Sequence, residues 1–483
     1  MRRTVRVREL AGWVDPEVVF RALAADAPIA AWLDGGADAA EGRSVIAVAH
    51  DRTRLVLADV ETSEPDAVLA ELADELARHD AAIADDARAR TALGWIGWFG
   101  YEFGAARLGV PVAVTATPDA AFLFVDRAIV FDHARRTVAL EWLDPGDPGD
   151  ETAEQWRDRT TSDLDALRRD GGDSTGGAGA GGEASDRSAA PEAAGPPGVP
   201  TRQPPPARWR HDHDAYALMI AECQAAIRRG DAYQLCLTNR VDVDARPDPA
   251  ETYLRLRRTS PTHHGGYLRF GDVALLSASP EQFLLVERDG TVSTRPMKGT
   301  RPRGHDAESD ALLRRELAES EKERAENLMI VDLMRNDLAR VAELGSVHVP
   351  VLLATEEYAQ VHQLVSTVQA RLRPPLTALD AVAAAFPAGS MTGAPKESAM
   401  RILHQLEQGP RGVYSGAFGT LAVDGSADLA MVIRSIVLTP DGASVGTGGG
   451  ITALSEAADE IEETRVKAAA LVAVLAAAAA PAD

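Results

Sequence analysis

Apolar positions in this chain change spacing repeatedly, and each change marks an element. Val, Leu and Ala recur at helical spacing over Pro65–Arg78. The runs 122–131 and 138–142 alternate as strands and read as a hairpin closed over 133–136. Residues 211–229 predict a helix, and 234–243, 273–277 and 283–287 predict strands. Asp289-Gly290 turns the last of these into a short strand, 291–296, that leads to Lys298. Residues 311–338 read as helix for most of their length. Near the end, 416–423, 429–438 and 444–449 alternate with turns at Asp424-Gly425 and Asp441-Gly442, as in an antiparallel meander. Ser455 is placed to cap a final helix from Glu456, whose Ala-rich end reads as buried and amphipathic. No repeat of fixed period is present. The class is α+β, with large antiparallel sheets and helices against them.

One segment breaks the pattern. Residues 171–206 are Gly, Ala, Ser and Pro with almost no large apolar side chain. Such a segment cannot offset the entropy lost on ordering, so 169–207 is expected to be a disordered linker between 1–168 and 208–483. The rest of the 483 residues is long enough for ample core.

A net charge of −23 argues against nucleic acid or an anionic membrane as partner. No apolar run is long enough to span a bilayer, and the basic start, MRRTVRVREL, has no apolar core behind it. The two cysteines, Cys223 and Cys236, exclude a disulfide framework and fit a cytoplasmic protein. Neither stands in a G-x-C-x-G context, so no thiol nucleophile for glutamine hydrolysis is visible.

Candidate chemistry is spread over several segments. TRPMKGTRPRG puts Lys298 between an apolar residue and a Gly-Thr turn. Shielded from water, that amine would have a lowered pKa and a free lone pair; otherwise it is a solvated surface lysine. Glu323 and Glu326 in KERAENLMIVDLMRND, and Glu460 and Glu463 in DEIEETRVK, are each three apart on one helix face. Leu328, Met329 and Val331 would bring the first pair beside the core. Two facing pairs would cage a hard cation, most simply Mg²⁺ shared with an anionic ligand, or both are solvated helix faces. Glu281 in SPEQF is either an acid working with Lys298 or an edge-strand carboxylate. Arg434, inside the apolar run MVIRSIV, needs an anion, structural or bound. GSMTGAPKESAM offers a helix start with free backbone N–H groups, and GTGGGI a place where backbone approaches a ligand or a flexible turn. His362, in VHQLVSTV, is a core histidine or a site residue.

Taken in order, SPEQF, PMKGTRPRG, KERAENLMIVDLMRND, VHQLVSTV, GSMTGAPK, VYSGAFG, VIRS, GGGI and EIEETRVK resemble the chorismate-utilising enzymes. Within them the chain looks most like the aminodeoxychorismate synthase component I branch. GWIGWFGYE, ahead of the linker, is similar to that family's N-terminal half. The resemblance implies an anthranilate-synthase-component-I-like fold, two large antiparallel β-sheets flanked by helices with chorismate between them. It implies Mg²⁺ on Glu326 and Glu463, supported by Glu323 and Glu460. It gives Tyr414 and Arg434 to the enolpyruvyl carboxylate, Gly448 and Gly450 to backbone contacts, and Lys467 to a cation near the metal-bound carboxylate. His362 and Ser390 fall near the ring, and Glu281 is the acid for loss of the 4-hydroxyl. Gln234 stands in the pocket where isochorismate- and salicylate-forming relatives carry a water-activating lysine.

Lys298 matches the nucleophile of the aminodeoxychorismate branch, where anthranilate synthases carry alanine. The implied reaction is amination of chorismate to 4-amino-4-deoxychorismate, a precursor of 4-aminobenzoate and folate. Ammonia would come from a separate glutamine amidotransferase. The alternatives are anthranilate synthase component I, a secondary-metabolism aminodeoxychorismate synthase, or a non-catalytic protein that recruits a glutaminase. SPTHHGGY at 260–267 and WLDGG at 32–36 depart from the family's tryptophan-pocket segments, which puts tryptophan regulation in doubt.

Overall fold

A computed structural model describes residues 4–79, 90–144, 153–172, 206–358 and 361–478. Most of the expected linker, 173–205, lies outside the described residues. Ahead of it come β1 (Val5–Leu10), α1 (Pro16–Leu23), β2 (Ile29–Asp34), β3 (Arg43–Val48), β4 (Leu55–Ala58), α2 (Pro65–Arg78), β5 (Gly94–Phe99) and α3 (Tyr101–Arg107). Then follow β6 (Ala120–Val125), β7 (Arg127–Asp132), β8 (Thr137–Leu143) and α4 (Ala153–Gly172). Behind it come β9 (Ala207–Trp209), α5 (His213–Arg229), β10 (Gln234–Val243), α6 (Pro249–Thr259), β11 (His264–Phe270), β12 (Val273–Ser279) and β13 (Gln282–Val286). Next are β14 (Thr291–Thr294), β15 (Met297–Pro302), α7 (Ala307–Glu319), α8 (Glu321–Ala339), β16 (His348–Glu357), β17 (Val361–Arg371), α9 (Ala378–Ala385), β18 (Gly393–Ala394) and α10 (Lys396–Glu407). The chain closes with β19 (Ala417–Ala422), β20 (Ala427–Met431), β21 (Ser435–Thr439), β22 (Gly442–Ile451) and α11 (Ala457–Ala478).

The strands form two sheets. One runs β1-β8-β7-β3-β2-β11-β12-β21-β22-β10-β18, with β9 beside β10; the other runs β15-β17-β14-β13-β20-β19-β5-β6-β4, with β16 beside β17. Both sheets take strands from either side of the linker, and their pairings are antiparallel, so the α+β expectation holds. Side chains of successive strand residues face opposite ways. Thus Ala31, Leu268 and Leu275 enter the core between the sheets, where Trp95, Phe122 and Phe283 also lie. Their neighbours Trp32, Tyr267 and Leu276 enter a second core with Phe20 and Tyr253. Both faces are covered, which is why these strands read as near-continuous apolar runs.

Two expected strands are each two strands in different sheets. The run 122–131 breaks at Asp126, sending β6 to one sheet and β7 to the other, while the β7–β8 hairpin stands as expected. The run 429–438 breaks after Met431, and β20 and β21 part in the same way. Arg434 is therefore not inside a strand; it sits at the crossing with φ 51°. β12 and β13 cross beside it at Pro280-Glu281. Met431 N–H donates to the Glu281 carbonyl at 3.0 Å and Ala278 N–H to the Arg434 carbonyl at 3.1 Å.

The helix expected over 311–338 is also two, α7 and α8, broken at Ser320. The Ser320 hydroxyl accepts from Glu323 N–H and caps α8. S-x-x-E is the sequence signature of that start. The buried stripe of α8 holds Glu326, Asn327, Ile330, Val331 and Met334, whereas Leu328 is exposed. Ser455 binds the Thr452 N–H and so caps the turn ahead of α11, not the helix itself.

Asn327 anchors α8 to β17: its amide donates to the Leu364 carbonyl at 3.3 Å and accepts from the Ser366 hydroxyl at 2.6 Å. Asn327→Ala removes both bonds and leaves the buried Ser366 hydroxyl only the Leu353 N–H, which it accepts at 2.9 Å. Urea unfolding should show a loss of about 1–3 kcal/mol, and an unchanged midpoint would contradict this account of α8.

Candidate active site

A cavity of about 510 Å³ opens where the two sheets, α8 and α11 meet. Lys298 reaches it from β15. That strand pairs Lys298 with Leu364 and Thr300 with Gln363, so Gly299 bulges out unpaired. Gly299 has φ 75°, and a Cβ there would lie 2.8 Å from Leu317 and 2.9 Å from a Glu323 oxygen. Only glycine meets both demands, and beside this bulge Lys298 lines the cavity, within the field of Glu326, Glu281 and Glu463.

The paired crossing supplies the opposite side. Glu281 is buried and accepts a hydrogen bond from Ser390. Burial raises its pKa, against the pull of Lys298, Ser390 and Lys467. Arg434 projects into the cavity, and among the described residues no carboxylate lies within ion-pair distance of it. Arg434 is exposed rather than buried, so it does not require a structural counter-ion, and its guanidinium is available to an anion that enters the cavity. Tyr414 lies beside it on a loop whose shape depends on Glu102, which accepts the N–H groups of Arg411 and Gly412 at 2.8 and 2.9 Å. The Tyr414 ring occupies the space a Cβ at Gly446 would take. Gly446 to Gly450, in β22, form the floor. The Gly448 carbonyl accepts from Lys467 Nζ at 2.9 Å.

Three expected site features stand apart from the cavity wall. Gln234 is buried and does not line the cavity; its Nε2 is 2.5 Å from where a Cβ on Gly450 would be, on the side of that glycine that also faces Lys298 Nζ, and among the described residues its Oε1 has no partner. His362 turns away; its Nε2 is 2.9 Å from Asp310, which also binds Arg303. The start of α10 does not line the cavity either. Lys396 there binds Asp337 at 2.7 Å and the Ala385 carbonyl at 2.8 Å, which pins the 3₁₀ turn Gly389–Met391 near α8.

All four glutamates of the two helix pairs line the cavity. Glu460 accepts from Lys322 at 3.0 Å and Glu463 from Lys467 at 2.6 Å. Among the described residues no group of three acidic, histidine or cysteine side chains is already set to hold a metal ion. Glu326 nevertheless fits one. It is buried, makes no hydrogen bond or ion pair among the described residues, and has its pKa raised to about 6. Burial is the main cause; Lys298 and Lys322 oppose it, and Glu323 and Glu460 add to it. An all-oxygen, electron-rich set of this kind suits a hard divalent cation.

Lys298 does not have the lowered pKa expected of it. Burial pulls it down, but Glu326, Cys236, Glu281 and Glu463 outweigh burial and hold it above the usual lysine range. Sequence reasoning also missed Lys322, Arg301 and Cys236 on the cavity wall. Cys236 could have been placed by alternation, two positions after Gln234 on one face of β10. His263 and His264 of the divergent segment line a separate cavity of about 130 Å³, with Arg43, Arg90 and Asp428.

The model of the chorismate binding enzymes matches residues 31–473. An aminodeoxychorismate synthase of Streptomyces griseus is 46% identical over 384 residues, 80% of this chain and 50% of that protein. Another, of Streptomyces pristinaespiralis, is 40% identical over 493 residues, 98% of this chain and 65% of that protein. The chain thus spans between half and two thirds of these relatives. The crystal structure of anthranilate synthase component I from Streptococcus pneumoniae superposes with a TM-score of 0.69 at 27% identity, covering 95% of this chain and 97% of that one. No helix among the described residues is long and apolar enough to cross a membrane.

Glu102 gives the site's supporting loop a pH signature. Burial raises its pKa to about 7, Asp119 adds to this, and the Arg411 and Gly412 N–H groups oppose it. The folded chain holds this proton more tightly than the unfolded chain. Its contribution is therefore complete below the unfolded value and is lost as pH rises through about 7. Glu102→Gln should flatten the stability–pH curve over that window, by about 3 kcal/mol in all. Urea titrations at several pH values check this, and parallel curves for the two proteins would refute it.

Proposed function

The chain belongs to the chorismate-binding enzyme family, and from that premise we propose that it aminates chorismate to 4-amino-4-deoxychorismate for 4-aminobenzoate and folate synthesis. The observation that carries this reading is Lys298 and Glu281 in one cavity with an arginine, Arg434, that forms no ion pair among the described residues. Arg434 and Tyr414 bind the enolpyruvyl carboxylate. Gly448 and Gly450 line the floor under the substrate, Ser390 orients Glu281, and Lys467 adds positive charge near the ring carboxylate.

The neutral Lys298 amine bonds to carbon 2, the ring double bonds shift, and the bond from carbon 4 to its hydroxyl breaks. Glu281 donates its proton so that the hydroxyl leaves as water, and its raised pKa suits that task. Ammonia then bonds to carbon 4, the double bonds return, and the bond between carbon 2 and Lys298 breaks. Glu281, left as carboxylate, takes a proton from the new ammonium group. Lys298 must first give up its own proton, which Glu326 and Glu463 help to hold. Mg²⁺ held by Glu326 and Glu463, with Glu323 and Glu460 in support, would offset that negative charge and grip the ring carboxylate. Gln234, buried beside Gly450, leaves no lysine there to activate water.

Ammonia comes from a separate glutamine amidotransferase. The chain's two cysteines are buried and their thiols pushed up, Cys223 to about 12. Neither is a ready thiolate. The second reading, anthranilate synthase component I, is favoured by the superposed structure; the product of turnover separates the two.

Chorismate, Mg²⁺ and ammonium at alkaline pH should yield 4-amino-4-deoxychorismate, identified by chromatography with mass detection. Lys298→Ala should still bind chorismate yet form this product far more slowly, with at most a trace of anthranilate. Glu281→Gln should lower kcat by about 10²–10⁴-fold. Anthranilate as the main wild-type product, or wild-type rates in Lys298→Ala, would overturn the reading. Glutamine in place of ammonium should give no product with this chain alone, and glutamine-driven turnover by it would remove the need for a partner.

A further inference from the structure

Arg411 lies outside the cavity and, among the described residues, bonds to neither of its helices, yet it is one of the most heavily bonded side chains described. Its guanidinium is almost fully buried, at 1% exposure. Nε donates to Glu407 at 2.8 Å. One terminal nitrogen donates to the Met391 carbonyl at 2.7 Å and the Ser415 hydroxyl at 3.4 Å. The other donates to the Cys236 carbonyl at 2.8 Å and to Glu407 at 2.7 Å. A guanidinium has five N–H donors, and these bonds use all of them. One face of the group lies over the Tyr101 ring, 4.2 Å from its centroid. Glu407 also accepts the Thr238 N–H at 2.9 Å, and Glu102 accepts the main-chain N–H of Arg411 itself at 2.8 Å.

The partners are not a random part of the core. Cys236 and Met391 line the cavity, as do Ser390, next to Met391, and Tyr414, next to Ser415. They belong to β10, to the 3₁₀ turn and to the loop after α10, three segments far apart in the chain. We infer that Arg411 is a positioning residue that fixes these three walls, and with them Ser390 and Tyr414, in the geometry the substrate requires. This rests on the chorismate-aminating reading and adds to it a residue that touches no reactant. The planar fork is what the task demands. A lysine has three donors arranged around a point, and cannot hold two carbonyls, a hydroxyl and a bidentate carboxylate in one plane. Among the described residues Arg411 makes no hydrogen bond or ion pair to α8 or α11, so the glutamates there are held independently of it.

That independence supplies the test. Arg411→Lys is purified and its folded fraction measured by thermal melting. Ammonia-dependent turnover is then followed against chorismate and, separately, against Mg²⁺. Per folded molecule, kcat/KM for chorismate should fall roughly 100-fold, with KM raised. At saturating chorismate, the Mg²⁺ activation constant should stay within about twofold, because Arg411 bonds to none of the glutamates that would hold the ion. A merely structural lesion would lower the folded fraction and leave the constants of the folded molecules alone, or loosen both ligands together; either result overturns the inference. If Arg411→Lys does not fold, Glu407→Gln, which keeps the volume and breaks the paired carboxylate, should show the same split in smaller degree, and wild-type constants in it overturn the inference. A wild-type chain that turns over no chorismate removes the functional reading and this inference with it. A variant that matches an active wild type removes the inference alone.

Discussion

Two strands pass from one sheet to the other side by side, and the hydrogen bonds between them decide where a site can form. β12 continues as β13 and β20 as β21 across the same gap, joined by the bonds from Met431 to Glu281 and from Ala278 to Arg434. A chain that changes sheets cannot keep its regular ladder, so its peptide groups must find partners locally. Here the two crossings satisfy each other. The arrangement also frees the side chains at the crossing from the apolar faces on either side. Glu281 and Arg434 can be polar there because the sheets have parted, and the left-handed backbone at Arg434 follows from the turn between sheets.

The remaining parts are brought to this crossing by separate devices. A glycine bulge turns Lys298 inward from β15. A serine cap and a buried asparagine set the register of α8 and so of Glu323 and Glu326. The glycines of β22 open a floor, and Tyr414 lies on one of them, Gly446. The result concentrates charge of both signs in a small volume. Glutamates from two helices face lysines 298, 322 and 467, and the balance leaves Lys298 protonated and Glu326 partly so near neutrality. Such a balance is set to shift when a divalent cation and a dianionic substrate enter, because each changes the field at the other groups.

Much of this was legible in the chain. The helix at Pro65–Arg78 and the strand at Gln234–Val243 follow from apolar spacing alone, and of the site residues the resemblance marked, all but Gln234 and His362 line the cavity. The sheet changes did not show, because strands covered on both faces are apolar throughout and carry no mark of which sheet they join. The marks that existed were single polar residues, Asp126 and Arg434, inside apolar runs. The break at Ser320 was written as S-x-x-E but was hidden by helical spacing on both sides. His362 could not be separated from a core histidine by type or position, and the structure pairs it with Asp310. The sign of the Lys298 shift depends on how many carboxylates surround the amine, which only the folded arrangement reveals.

The central claim is that the crossing of the two sheets holds a substrate for covalent attack by Lys298. Its most direct test is peptide mass mapping of the chain after incubation with chorismate and Mg²⁺ while ammonia is withheld. The account predicts an adduct of chorismate less one water on Lys298, discharged when ammonia is added. Product formation on adding ammonia, with no adduct on Lys298 beforehand at any time point, would contradict it.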